Sequence, residues 1–380
     1  MTAATTPPLI LYDDVLARQF APFSLTRPLA AVRAGAELIG RRWGAALENA
    51  RPRSLSSPHL AGFREVDGPD GATGVLAPGT IVANTRCVVA LDARAATGDV
   101  WRIGEEVAAV RLAKSLPAEA FRDGSLELST LVPPSADAQT LRGRWLQAPW
   151  DLIGQLPEQL FEDAATLAAR FADAGVPGGE RIGSRAIVVE KGAVIEPYVV
   201  LDSTLGAIVI RASAHISAFT RIAGPCVIGA GTQVLGGRIS GSAIGGDCRI
   251  HGDLSTSIFI GQANKAHEGF VGHSVVGRWA NLGAGTTTSN LKNSYGAVKM
   301  WTPSGERSSG LTFLGALVGD HAKRGIGTML GTGTVVGAGA NVFGTMRPAT
   351  GIPPFAGGDA PPYETFSLAK FLDVTERVMS

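Results

Sequence analysis

Across the C-terminal half of the chain, aliphatic residues recur every six positions. Ile210, Ile216, Ile222, Ile228 and Val234 form one run, and Val318, Leu330, Val336 and Val342 form a second in which Arg324 takes one slot. A helix repeats at 3.6 residues and a strand at 2, so a sustained period of six belongs to neither. It fits hexapeptide repeats, each a short strand and a turn, stacked as a parallel β-helix. Glycines follow many of the slots by one residue, among them Gly229, Gly319, Gly325 and Gly337, as tight corners require. The first slots are read as Ile182, Val188, Val194 and Val200, after which a longer corner, DSTLGA, shifts the phase. Corners absorb insertions at little cost, whereas one residue added inside a strand reverses every side chain.

This pattern places the coil at 179–346, interrupted by a basic loop at about 289–310. Residues 347–380 form a tail whose closing amphipathic helix is expected to cap the open end of the coil, where backbone groups otherwise form an exposed edge. Before the coil the pattern changes to α/β. PLILYDD reads as a buried strand ending in Asp13 and Asp14, residues 28–43 as a helix opened by Pro28, and 80–91 and 107–112 as strands. Residues 114–145 read as irregular. An apolar stripe of Leu160, Leu167 and Phe171 marks a helix at about 157–174. The reading is therefore a first domain at 1–156, a linker helix at 157–178, then coil and tail.

Composition narrows the function. With 45% hydrophobic and 18% charged residues the chain describes an ordinary globular protein, and the 49 glycines are accounted for by periodic corners. A net charge of +1 and 6% aromatic residues argue against a nucleic-acid or anionic-membrane partner. Cys87, Cys226 and Cys248 have no spacing suited to zinc or to a disulfide framework, and Cys226 and Cys248 are expected to line the coil. MTAATTPPLILYDD has no basic leader and no apolar run approaches a membrane span, so a cytoplasmic location is the default expectation.

Chemistry concentrates at 265–296, where the repeat gains a histidine and two asparagines. KAHEGFVGHSVVGRWANLGAGTTTSN resembles the acetyltransferase stretch of the bifunctional glucosamine-1-phosphate acetyltransferase / N-acetylglucosamine-1-phosphate uridyltransferase family. The resemblance implies His267 as general base, Asn281 as a substrate-orienting residue and Asn290 as the asparagine that opens the following loop. Phe270 stands where that family has tyrosine, and the family's lysine upstream of the histidine has no counterpart, so Lys265, Lys292 and Lys299 are the candidates for the substrate phosphate. LYDD with SLTRPLAAVRAGAELIGRRW resembles a short, divergent nucleotidyltransferase-like domain without its glycine-rich loop. There Arg27 and Arg33 are the candidates for nucleotide phosphates, and Asp13 and Asp14 for Mg2+.

The implied architecture is an α/β nucleotidyltransferase-like domain followed by a left-handed parallel β-helix. The implied activity is acetylation of an amino-sugar phosphate by acetyl-CoA, with nucleotidyl transfer from UTP or dTTP by the first domain, in a homotrimer whose coils frame the acetyl-CoA cleft. The alternative is a sugar-nucleotide-binding or assembly subunit with a degenerate first domain.

Overall fold

The structure, a computed structural model, describes residues 7–49, 51–95, 97–344 and 346–379. Contacts divide the chain into two compact units, Met1–Pro149 and Trp150–Ser380.

The first unit is built on a seven-stranded mixed sheet. Leu9–Tyr12 is an interior strand, parallel to Arg53–Leu55 on one side and to the central strand Ile81–Asn84 on the other. Glu106–Arg111 and Val100–Ile103 continue it antiparallel. All four side chains of Leu9–Tyr12 are buried, the continuous apolar pattern expected of a strand covered on both faces. Two readings need correction. The helix expected over 28–43 starts only at Ile39 and runs to Ala46, because Gly35 at φ +59 turns Arg33–Ala34 back on Glu37–Leu38 as a hairpin. The stretch expected at 80–91 is two strands, Ile81–Asn84 and Cys87–Val89, in separate sheets.

In the second unit, helix Leu156–Arg170 packs on strands Ile208–Ile210 and Cys226–Ile228 of the coil. The coil is a parallel β-helix whose faces are sheets of six, nine and ten strands. Ile210, Ile216, Ile222, Ile228 and Val234 all point into the core, as do Val318, Leu330, Val336 and Val342; Cys226 and Cys248 join them. The first slots are out of phase by one residue. Core positions are Val189, Ile195 and Leu201, in register with Ile210, Ile216 and Ile222, while Val194 is 47% exposed. Buried hydroxyls tie the corners together: Ser257 Oγ accepts from Ser274 N, and Ser274 Oγ from Ala316 N.

The interruption after Thr288 is an ordered excursion carrying an antiparallel hairpin, Lys299–Thr302 with Gly305–Ser308. The last rung is closed by a strand rather than by the terminal helix. Glu364–Thr365 pairs antiparallel with Ala356–Gly358, whereas helix Leu368–Met379 has no fully buried residue and meets the coil end through Phe371, edge-on to His321 and Phe355.

Candidate active site

Each turn of the coil repeats the same local plan, so neighbours in the site come from residues about one turn apart. Asn264–Lys265 is a two-residue strand, followed by the corner Ala266–Gly269 and by strand Phe270–Gly272. Alternation sends Lys265 inward and Asn264 outward. His267 is exposed on the corner. That corner is fastened from within, since Lys265 Nζ donates to the His267 carbonyl and, at 2.9 Å, to the His251 carbonyl. Lys265 is buried, and burial pushes its ammonium down to about 8 against the opposing pull of Glu268 and Asp253.

Asn264 and Asn281 stack in register, with Asn264 Nδ2 donating to Asn281 Oδ1 at 2.6 Å. Lys323 follows Asn281 in the same outward row and donates to the Trp279 carbonyl at 2.6 Å, its ammonium also pushed down to about 8 by burial. On the other side of strand Phe270–Gly272 lies a second group. Asn290 Nδ2 donates to His273 Nδ1 at 2.8 Å, and the His273 ring stacks on Phe313 with centroids 5.3 Å apart. An amide nitrogen only donates, so His273 Nδ1 is the acceptor and the proton of the neutral ring is on Nε2. Burial lowers the His273 pKa and so favours that neutral form. Gly272 makes room for this group, because a Cβ there would stand 2.4 Å from the Phe270 ring and 2.8 Å from Asn290 Nδ2.

His267, Lys265, Phe270, Asn281 and Asn290 thus occupy two adjoining groups that flank one strand. Lys292 and Lys299 belong to neither. Lys292 Nζ bonds the Ala297 carbonyl within the excursion, and Lys299 pairs with Glu306 across the exposed hairpin at 3.3 Å.

In the first unit a cleft of about 530 Å³ opens beside the carboxyl ends of Leu9–Tyr12 and Ile81–Asn84, where open α/β sheets bind ligands. Asp14, Asn84, Arg86, Arg102, Glu105 and Trp145 line it. Arg86 Nε meets the Asp14 carboxylate at 2.8 Å, its guanidinium lies 5.2 Å from the Trp145 ring centroid, and Asn84 Nδ2 donates to Asp14 at 2.8 Å.

Residues 9–171 match the sugar nucleotidyl transferase family model. The match covers the first unit and the helix that follows it, less than half of the chain. The chain is also similar to a bifunctional sugar-1-phosphate nucleotidylyltransferase/acetyltransferase of Sulfurisphaera tokodaii, at 32% identity over 91 residues. That stretch is 24% of this chain and 23% of the relative, so less than a quarter of the relative's length is spanned. Neither description specifies a sugar or a base.

Of the residues expected to grip nucleotide and metal in the nucleotidyl transferase-like unit, Asp14 lines this cleft while Asp13, Arg27 and Arg33 do not, and all four have hydrogen-bond partners. Arg27 is buried and makes a bidentate pair with Glu65 at 2.7 and 2.8 Å, and Arg33 donates to the Ala36 carbonyl. Asp13 accepts from Thr85 Oγ1 at 2.6 Å and Leu29 N at 3.1 Å, and burial pushes its carboxyl up to about 7. Asp14 receives Ala17 N, Asn84 and Arg86 on its two oxygens. Every carboxylate oxygen of the pair accepts at least one hydrogen bond in this structure. Sequence reasoning missed Asn84, Arg86 and Arg102; for Asn84 and Arg86 the signal was polar residues directly after the apolar run TIVA. It also missed Lys323, which only the stacking register sets beside Asn281.

Proposed function

We propose that the coil carries out acetyl transfer from acetyl-CoA to the amine of an amino-sugar phosphate, with His267 as general base. The observation that supports this most directly is an exposed histidine on a corner fixed by Lys265, next to the outward Asn264–Asn281 row. The neutral amine attacks the thioester carbonyl carbon, its N–H proton passes to the imidazole, and the C–S bond breaks as the amide forms. Imidazole suits that transfer because its ordinary pKa lies near neutral pH. Corner backbone N–H groups meet the negative charge developing on the carbonyl oxygen. Asn281 orients the acceptor, Phe270 forms an apolar wall, and Lys323 adds a cation beside Asn281 for a phosphate.

For the first unit the proposal is nucleotidyl transfer, in which a sugar-1-phosphate oxygen attacks the α-phosphorus of a nucleoside triphosphate and pyrophosphate leaves. The family match and the printed name of the relative support this reading. The engagement of Arg27 by Glu65 and of Asp14 by Arg86 favours a second reading for this unit alone, in which it binds sugar nucleotides without turnover.

One assay series separates these readings: purified chain with amino-sugar phosphates, acetyl-CoA and the four common nucleoside triphosphates, following free thiol and pyrophosphate. His267→Ala should lower kcat for acetyl transfer about 10²–10⁴-fold with the melting temperature unchanged, since an exposed corner side chain makes few core contacts. A near wild-type rate would remove His267 from the mechanism. Sugar-nucleotide binding by calorimetry without pyrophosphate release would establish the second reading for the first unit.

A further inference from the structure

In the ten-stranded sheet the inward column runs through Ile250, Lys265, Leu282, Arg324, Val342 and Gly358, one residue per rung. Two slots hold cations where the repeat asks for an aliphatic. Lys265 escapes through its corner to two carbonyls. Arg324 does not. Its side chain is 3% exposed, and Nε, Nη1 and Nη2 all lack a hydrogen-bond partner among the described residues. Tyr363 packs against the same core, and its buried hydroxyl is likewise unpartnered.

These two groups belong together. Tyr363 lies within electrostatic reach of Arg324, and although burial pushes the guanidinium down to about 10, it keeps its charge at neutral pH. A buried cation with no counter-charge is strongly disfavoured, and no carboxylate of the described residues pairs with Arg324. Guanidinium N–H and phenol O–H are donors here, so what satisfies both is an acceptor. Leu282 and Val342, the rung neighbours of Arg324, are apolar, and Gly358 next along the column contributes no side chain, which favours a small acceptor.

We propose that the lumen of the coil between Arg324 and Tyr363 binds a small monovalent anion of halide size, chloride in ordinary buffers, as a structural ligand. The anion neutralises Arg324 and links the inward column to the closing segment that carries Tyr363. A water molecule would satisfy the hydrogen bonds and leave the charge unmatched.

The test uses the full chain. Crystals grown in bromide should show an anomalous peak within hydrogen-bond distance of the Arg324 guanidinium and the Tyr363 hydroxyl. In melts at constant ionic strength, replacing gluconate by chloride or bromide should raise the wild-type melting temperature by about 5 °C at a hundredfold excess over Kd. Arg324→Met should lose the halide response, and Tyr363→Phe should shift it to higher halide concentration. If Arg324→Met does not fold, the anomalous map and Tyr363→Phe decide the matter. Density at the site without anomalous signal, or a halide response retained in Arg324→Met, overturns the proposal.

Discussion

Lys265 shows how one residue can serve both the fold and the site. Its ammonium fixes the His267 corner, yet burial pushes it down to about 8, so the folded state carries an unfavourable charge at neutral pH. Between about pH 8 and the ordinary lysine value near 10.5 the unfolded chain binds more protons than the folded one, and stability contributed by this group rises with pH. Wild type should therefore gain stability relative to Lys265→Met as pH rises from about 8 to about 10.5, by about 1–2 kcal/mol. Chemical denaturation across that range checks this; a pH-independent gap would mean that Lys265 does not titrate as argued. Measuring the difference between the two proteins cancels the buried thiols of Cys87 and Cys226, whose pKa values burial raises in both. Residue-scale legibility was uneven. The hexad period gave the core from Ile210 onward, but in IVV, VI and VVL adjacent positions are all aliphatic, so period alone could not choose Val189, Ile195 and Leu201 over their neighbours.

At the scale of elements, repetition made the coil legible and its absence hid the rest. Stacked rungs impose the same pattern many times over, whereas the hairpin at Gly35 depends on a single turn inside a sequence of good helix formers. The site residues followed the same division. His267, Asn281 and Asn290 stood out within the repeat, while Asn84 and Arg86, marked only as polar residues after an apolar run, owe their place in the cleft to strand order. The end of the coil gives a direct test of which element closes it. Ending the chain at Ser367 removes a helix that touches the coil end mainly through Phe371, and the melting temperature should fall by only about 1–2 °C. Ending it at Pro361 also removes Glu364–Thr365, leaves the last rung unpaired and should lower the melting temperature by several degrees with self-association on size exclusion. Equal effects of the two truncations would return the capping role to the helix.

For the whole molecule, no helix among the described residues is long and apolar enough to cross a membrane, and the coil exposes large apolar side chains instead. Tyr198 and Phe219 stack with ring centroids 5.6 Å apart while remaining 75% and 78% exposed, and Ile326 is 81% exposed. Such surfaces suit a closed ring of identical copies. Light scattering should give three times the 39.2 kDa chain mass, and an active monomer at micromolar concentration would exclude the ring. The excursion after Thr288 has a further consequence, for the order in which the coil assembles during synthesis. Bonded rungs before it join residues such as Asn264 and Asn281, 17 apart, so each turn can settle on the last as soon as it is made. Across the excursion the separation grows to 42, as between Arg278 and Asp320. That longer closure costs only about 0.8 kcal/mol more in chain entropy. It nevertheless divides the growing solenoid into an early block that can stand while the ribosome finishes and a late block that waits for the excursion, leaving the rung of Asn281 the exposed growing end in the interval.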